Sequence, residues 1–273
     1  MTRRSKRVLV VADLHSGALT GLTPPQFRRR HTDADDPWID KIVDLERESW
    51  DWYDQTIKAL QPIDFALVNG DCIDGRGERS GGTELITADR HKQAGIAFEA
   101  LKIIRAQKYV MTYGTPYHVS SDGEDYEDTI ARALANEKGV KEVKLGAHEW
   151  PEVNGLIFDM KHKVGSSGVP HGRTTALAKD QLWNTLWAEC QEQPKGRVFI
   201  RSHVHYHTYC GGTDWLALTT PALQTMGTKF GSRQCSGRID YGLIHFDIES
   251  DGSYTWQVHI AKLQRQRAQT LVL

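Results

Sequence analysis

The chain has 273 residues, 39% of them hydrophobic, and its mean hydropathy is −0.51. This size allows one large hydrophobic core, so we expect a single domain over residues 1–273. Its 34 Lys and Arg residues nearly balance its 35 Asp and Glu residues, which excludes a bulk charge that would hold the chain on nucleic acid or on an anionic membrane.

The four cysteines and the N-terminal segment bear on whether the chain is a thiolate-zinc, redox, secreted or membrane protein. No two cysteines form a CxxC pair, so the sequence indicates no thiolate zinc cage, redox motif or disulfide framework. The first apolar run is too short for a signal sequence or a membrane span. We therefore expect a reduced, cytoplasmic protein with no membrane partner.

Strands and helices alternate in the first half of the chain. Short β-branched runs predict buried strands over residues 7–12, 64–69 and 108–113. Apolar residues at helical spacing predict helices over 38–60 and 84–106 between them. This alternation indicates a largely parallel sheet, with functional loops leaving the carboxyl ends of its strands.

The second half has shorter elements. Helices are predicted over 127–136 and 174–190, and the Asp251-Gly252 pair predicts a hairpin turn. Strands are predicted near residue 143 and over 156–160, 197–200, 215–219, 241–247 and 254–260. We therefore predict an α/β fold with two packed mixed sheets flanked by helices.

Acidic and imidazole side chains follow several of these strands. Asp13 and His15 follow the first strand, Asp71 follows the second, and His203 and His205 follow a later one. Carboxylates and imidazoles gathered at strand ends can converge on a pair of divalent ions. Two other interpretations stay open: the aspartates could cap helices, and the histidines, which continue to His207, could lie on one half-exposed face of a strand.

The order of these motifs resembles the calcineurin-like metallophosphoesterase family. A D-x-H motif stands at residues 13–15, G-D-x-x-D at 70–74, a lone histidine at 162 and an H-x-H motif at 203–205. The resemblance spans residues 7–207 and implies a four-layer sandwich of two mixed sheets flanked by helices. It also implies six metal ligands, with Asp71 as the bridge between two ions: Asp13, His15, Asp71, His162, His203 and His205.

The family resemblance implies a specific chemistry. Two divalent ions, Mn²⁺ first and Fe, Zn or Ni as alternatives, would activate a water for in-line attack on a phosphoryl group without a covalent protein nucleophile. We therefore predict a metal-dependent phosphoric ester hydrolase, most simply a phosphodiesterase acting on nucleic acid or nucleotides. The alternatives are a phosphomonoesterase of the same fold and a degenerate metal- and phosphate-binding module without turnover. A serine or thiol hydrolase, for example one using Cys72 with a histidine, is a further alternative, but the sequence has no nucleophile-elbow pattern.

The third family motif departs from the pattern. Where the family has G-N-H, residues 113–118 read Tyr-Gly-Thr-Pro-Tyr-His, so the amide ligand of the second ion is missing and Thr115 is a poor replacement. Either His118 takes the vacant metal position or it acts as the general acid that protonates the leaving oxygen. The departure resembles bacteriophage-encoded members of the family.

Basic residues in loops are candidates for gripping the substrate phosphate. Arg76 and Arg79 follow Asp71, and His171 and Arg173 follow a glycine-containing segment. Guanidinium groups can hold a phosphate bidentately, although loop charges of this kind are also common as solvated surface. The expected partner is a phosphoester substrate, with nucleic acid as the candidate, and the sequence leaves the oligomeric state open.

Overall fold

The structure is a computed structural model that describes residues 5–29, 37–77, 80–116, 125–226, 237–264 and 270. Its strands are β1 (Lys6–Val11), β2 (Phe65–Asn69), β3 (Lys108–Thr112), β4 (Glu142–Gly146), β5 (Glu152–Val153), β6 (Leu156–Met160), β7 (Val198–Arg201), β8 (Thr208–Gly211), β9 (Leu216–Thr219), β10 (Gly242–Ile248) and β11 (Tyr254–Ile260). Its α-helices are α1 (Pro37–Ala59), α2 (Arg90–Lys102), α3 (Tyr126–Ala135) and α4 (Arg173–Glu189).

The first sheet has six strands in the order β11-β10-β1-β2-β3-β4. Strands β1 to β4 run parallel, as the strand–helix alternation predicts, while β10 and β11 add an antiparallel hairpin beside β1. The hairpin turn lies at Asp251-Gly252, where Gly252 has a φ of 81°. The first and last parts of the chain therefore share one sheet.

The second sheet has five strands in the order β5-β6-β7-β9-β8. Strands β6, β7 and β9 run parallel, and β5 and β8 pair antiparallel at its two edges. Both sheets are mixed and helices flank them, which confirms the predicted fold class.

Apolar residues of the central strands divide between two cores. Along β1, Val8 and Val10 face the second sheet, while Leu9 and Val11 face the helices. Helices α1, α2 and α3 cover the outer face of the first sheet, and α4 covers that of the second. A strand that is buried on both faces reads as a continuous apolar run, which explains why β1 is so apolar in sequence.

Helix α2 is shorter than the predicted helix over 84–106. The Asp89 side chain accepts hydrogen bonds from the backbone N–H groups of His91 and Lys92 and so caps the helix at residue 90. The preceding segment pairs instead with residues 17–19, because the Leu19 N–H donates to the Glu84 carbonyl at 2.9 Å. At the other end, Arg105 has a φ of 54°, which no α-helix accommodates.

The strand through the histidines of the H-x-H motif is also absent. Strand β7 ends at Arg201, and both His203 and His205 have positive φ, so the two histidines lie in a loop between β7 and β8. Sequence patterns did not predict the short strands β5 and β8. Among the helices of the described ranges, none is both long enough and apolar enough to cross a membrane.

Helix α1 carries a buried carboxyl group on its inner side. The Glu46 Oε2 atom accepts a hydrogen bond from the Arg29 backbone N–H at 3.2 Å, whereas Oε1 has no hydrogen-bond partner in the part of the chain that the structure describes. Burial raises the pKa of Glu46 to about 7, against the lowering effects of the Arg29 hydrogen bond and of the charges of Arg29 and Arg28. The folded state therefore stabilises the protonated form of Glu46 relative to the ionised form.

We predict that the stability of the chain falls between pH 4.5 and 8 because of Glu46. In this window the folded chain holds a proton that the unfolded chain has released, so ionisation destabilises the fold by about 3 kcal/mol at the upper end. The Glu46→Gln variant should show a shallower slope in denaturant unfolding measured across the window, and Glu127, whose pKa is also raised to about 7, accounts for part of the slope that remains. Asp54→Asn, at a partly exposed position of α1, is the control. An unchanged slope in Glu46→Gln would contradict the prediction.

Candidate metal centre

The carboxyl ends of four strands meet at one edge of the sandwich. Asp13 lies two residues after β1 and Asp71 two residues after β2, both in the first sheet. His162 lies two residues after β6 and His203 two residues after β7, both in the second sheet. Because β1 and β2 are parallel, and β6 and β7 are parallel, the packing of the two sheets brings these four side chains to the same place.

Asp13, His15 and His205 form a first cluster. One potential ligand atom of each lies within 4.8 Å of those of the other two. The His205 Nε2 atom is 3.3 Å from Asp13 Oδ1 and 3.2 Å from His15 Nε2. Two imidazole nitrogens and a carboxylate oxygen therefore point at one small volume.

Asp71, His162 and His203 form a second cluster with the same spacing limit of 4.8 Å. The His162 Nε2 atom lies 3.0 Å from Asp71 Oδ2. The same Asp71 oxygen is 4.0 Å from His15 Nε2 of the first cluster. Asp71 is thus placed between the two clusters, where a bridging carboxylate would have to lie.

Hydrogen bonds on the far side of two rings aim them into the pocket. His15 Nδ1 lies 3.1 Å from Asp74 Oδ1, and His162 Nδ1 lies 2.6 Å from the Asn69 carbonyl oxygen. Each of these partners accepts a hydrogen bond from the Nδ1–H group, which directs Nε2 into the pocket. Asp74, the second aspartate of the G-D-x-x-D motif, therefore orients a ring rather than joining a cluster.

Asn69 ties the two sheets together beneath the pocket. Its side-chain amide donates to Ser202 Oγ at 2.7 Å and to the Lys161 carbonyl at 3.2 Å, both on the second sheet. Its side-chain oxygen accepts from Thr112 Oγ1 at 2.8 Å on the first sheet. This network fixes the distance between the two halves of the site, and the polar Asn at the end of an apolar strand was its only signal in the sequence.

Five of the six clustered residues have a left-handed backbone. Their φ angles lie between 44° and 73°, and they are Asp13, His15, Asp71, His203 and His205. Non-glycine residues avoid this region at a cost of about 1 kcal/mol or more each, and such strain gathers at functional sites. The left-handed turns send the side chains of sharply bent loops into one pocket.

The glycines beside these residues are required by close approach. A Cβ atom at Gly70, which has a φ of 78°, would lie 2.5 Å from His162 Nδ1. A Cβ atom at Gly114 would overlap Asp71 Oδ1. Both glycines therefore let backbone pass directly under the second cluster.

The buried charges shift one another's pKa values. Burial alone would raise the pKa of Asp13, but the nearby His205 and His162 outweigh it and lower the pKa below the ordinary value. Burial would lower the pKa of His162, yet the Asp71 hydrogen bond and the Asp13 charge raise it to about 9. Burial, together with the neighbouring His162, lowers the pKa of His203.

Thr115 stands where the family pattern has an amide ligand, and its hydroxyl lies at the second cluster. Thr115 Oγ1 donates to Asp71 Oδ2 at 2.8 Å and lies 3.3 Å from His203 Nδ1 and 3.4 Å from His162 Nε2. Its backbone N–H donates to Asp71 Oδ1 as well. A neutral oxygen therefore occupies the side of the cluster where the amide oxygen is expected.

A buried glutamate, Glu127, lies next to the loop that carries Asp71. Glu127 of α3 accepts a hydrogen bond from the Cys72 backbone N–H at 3.2 Å, and burial raises its pKa to about 7. Burial also raises the pKa of the Cys72 thiol well above its ordinary value. A thiol held in its protonated form is a poor nucleophile, which argues against the thiol-hydrolase alternative.

The remaining candidates lie around the site or outside the described residues. His118 and Arg79 are outside the described residues, and Arg76 and His171 are exposed. The Arg173 guanidinium stacks over the ring of Tyr206, with its Cζ atom 4.0 Å from the ring centroid. Tyr206 follows His205 directly, so Arg173 contacts the sequence neighbour of a residue of the first cluster.

Comparisons with known proteins give fold-level likenesses only. No family model and no curated protein matches the chain. Three of the similar solved structures are the zinc complex of Entamoeba histolytica Vps29 (13% identity, 93% of this chain and 98% of that chain, TM-score 0.39), Vacuolar Protein Sorting 29 from Cryptosporidium parvum (9%, 95% and 99%, TM-score 0.44) and an archaeal phosphodiesterase (11%, 93% and 99%, TM-score 0.40). With TM-scores below 0.5, these likenesses carry no weight for the chemistry of this chain, whose function is inferred from its own residues.

We predict that Thr115→Val weakens binding of a second divalent ion. The variant keeps the shape of the side chain but removes the oxygen between Asp71 and the two histidines, and loss of a supporting polar group of this kind costs about tenfold or more in affinity. Calorimetric titration with Mn²⁺ measures the two affinities separately. Thr255→Val, at an exposed position of β11, is the control, and an unchanged second affinity in Thr115→Val would refute the prediction.

Proposed function

We propose that the chain is a dinuclear metallophosphoesterase that hydrolyses phosphodiesters of nucleotides or nucleic acid. The observation that carries the proposal is the position of Asp71. Its Oδ2 atom lies 3.0 Å from His162 Nε2 of the second cluster and 4.0 Å from His15 Nε2 of the first. A carboxylate between two groups of imidazoles is the arrangement that holds paired divalent ions.

The donor atoms fit divalent transition metals. Each cluster offers one carboxylate and two imidazoles and contains no thiolate, a ligand set that suits Mn, Fe, Zn or Ni, and we propose Mn²⁺ as the native ion. The ion pairs of the buried Asp13, among the residues that the structure describes, are all with histidines. A cation bound here would replace the protons that these buried groups otherwise share.

The residues of the chain divide the work of such a site. Bound divalent ions would supply Lewis-acid stabilisation of the phosphoryl oxygens and a water activated for attack. Asp13, His15 and His205 would hold one ion, His162 and His203 the other, and Asp71 both. Asp74 and Asn69 keep the Nε2 atoms of His15 and His162 directed into the pocket.

The guanidinium of Arg173 supports a diester as the substrate. Arg173 lies over Tyr206, the residue that follows His205 in the sequence, and its buried Nε atom has no hydrogen-bond partner within the described ranges. One guanidinium matches the single negative charge of a diester and can bind it bidentately. A phosphomonoester dianion would call for a second cation at the same place.

A metal- and phosphate-binding module without turnover is the second candidate. The observation that favours it is Thr115, because a hydroxyl is a weaker ligand than the amide oxygen of the family pattern. A second ion that binds weakly would leave a site that holds one ion and a phosphate but has little hydrolytic power. The number of ions bound per chain separates the two candidates.

We predict that Asp71→Asn abolishes hydrolysis of bis(p-nitrophenyl) phosphate in Mn²⁺. The amide keeps the size of the side chain but removes the charge shared by both clusters, so kcat should fall by about a hundredfold or more. The matched control is Asp214→Asn at an exposed position, which should leave the rate unchanged. Circular dichroism confirms the fold of both variants.

The wild type decides between the candidates in the same assay. Two ions per chain by elemental analysis, with turnover of the diester that a chelator abolishes, support the enzyme. One ion per chain and no turnover of diester, monoester, single-stranded or double-stranded nucleic acid with Mn²⁺, Zn²⁺ or Ni²⁺ would leave only the binding module.

We also predict that Arg173→Ala raises the KM for the diester about tenfold with a smaller effect on kcat, because it removes a charge that binds substrate and transition state alike. Arg173→Lys should recover part of the loss, since it restores the charge without the bidentate geometry. Steady-state kinetics with the diester measure both constants, and an unchanged KM in the alanine variant would remove Arg173 from the substrate site.

A further inference from the structure

Helix α4 presents large apolar side chains on its outer face. Leu182, Trp183, Leu186 and Trp187 lie on one stripe of the helix, with exposed fractions of 57%, 51%, 48% and 42%. The fully buried residues of this 17-residue helix are Leu177 and Asn184. The outer stripe thus carries more apolar bulk than the inner face of the same helix.

The helix is held rigidly on the second sheet, so this stripe is preformed. Asp180 Oδ2 accepts from Arg201 Nε of β7 at 2.7 Å. Asn184 donates to the Pro194 carbonyl at 3.0 Å and accepts from the Gly196 N–H at 2.9 Å. A rigid face loses little conformational freedom when it is covered.

We propose that α4 is the interface of a homodimer in which the helices of two copies pack antiparallel about a two-fold axis. With the axis beside Asn184 and Thr185, Leu182 lies opposite Trp187 of the second copy, and Trp183 lies opposite Leu186. Every large residue of the stripe then meets another, as a self-complementary two-fold interface requires. Buried tryptophans of this kind dominate the binding energy of interfaces.

Charges at the two ends of the stripe favour a second copy in this orientation. Lys179 lies one turn before Trp183, and Glu189 lies one turn after Leu186, both exposed. Neither makes an ion pair within the described residues. The antiparallel arrangement brings Lys179 of each copy to Glu189 of the other, whereas a parallel arrangement would set like charges together.

The area of the stripe predicts a dimer of moderate affinity. Four large side chains at about half exposure leave on the order of 400 Å² of apolar surface open. A standard interface buries about 800 Å² per partner, of which an apolar core with a polar rim is typical. The stripe supplies that core, and the flanking polar residues of α4 supply the rim.

Analytical ultracentrifugation of the full chain from about 1 to 200 μM tests the proposal. We expect a concentration-dependent dimer in the wild type and a monomer in Trp187→Glu. Tyr209→Ser is the matched control, because Tyr209 is 58% exposed but contacts Trp256, and it should leave the dimer intact. A wild type that stays monomeric throughout, or a dimer that survives Trp187→Glu, would overturn the proposal, even if the stripe binds another protein.

A charge swap tests the orientation with surface changes that leave the core untouched. Lys179→Glu and Glu189→Lys should each weaken the dimer severalfold, and the double variant should restore it. If the single variants leave the dimer unchanged, or if the double variant recovers none of their loss, the antiparallel arrangement is wrong. The diester assay on all variants distinguishes a loss of the dimer from damage to the metal centre.

Discussion

Two buried carboxylates at the meeting edge of the sheets are the constraint on which the site depends. Asp13 and Asp71 are almost completely inaccessible to solvent, and an isolated buried charge is too costly to persist. Four imidazoles surround them. Against the effect of burial, the two carboxylates stabilise the protonated form of His162 and so raise its pKa to about 9. Protons on the imidazoles therefore balance the negative charge of the two carboxylates only in part. A pair of divalent cations would balance the carboxylates more fully, since each brings two positive charges and would take the Nε2 positions that protons otherwise occupy.

The position of these buried carboxylates also explains where the backbone is strained. Asp13 and Asp71 can face the second sheet only if the chain turns sharply after β1 and β2, and left-handed φ angles provide that turn. The cost is offset by contacts that hold the turns from outside, such as the His15 N–H to the Asp71 carbonyl at 3.1 Å. Strain, glycine placement and the Asn69 network are thus three consequences of one requirement, which is to deliver side chains from two sheets to one volume.

The fold and the ligand clusters were largely predictable because both follow from strand ends. Apolar runs located the central strands, and parallel pairing then places Asp13 and Asp71 together without further information. The limits of α2 were not predictable, since the pairing of residues 84–86 with 17–19 is a long-range contact that overrides local helical spacing. Asn69 and Thr115 were missed as partners for a related reason. Their roles arise from neighbours distant in sequence, and the residue types alone are common in loops and strands.

Thr115 shows how far a single departure from a pattern can change a site without dismantling it. An amide at this position would place its oxygen toward a metal. The shorter threonine instead donates two hydrogen bonds to Asp71, one from its backbone N–H and one from Oγ1. These hydrogen bonds hold the Asp71 carboxylate in place, but the threonine hydroxyl is a weaker ligand than an amide oxygen, so the second cluster keeps the weaker ligand set. The weaker ligand lies at the second cluster, because Thr115 Oγ1 lies beside His162 and His203. On the proposed function, the two clusters should therefore differ in their affinity for divalent ions, and the second ion, rather than the fold, would set the rate of hydrolysis.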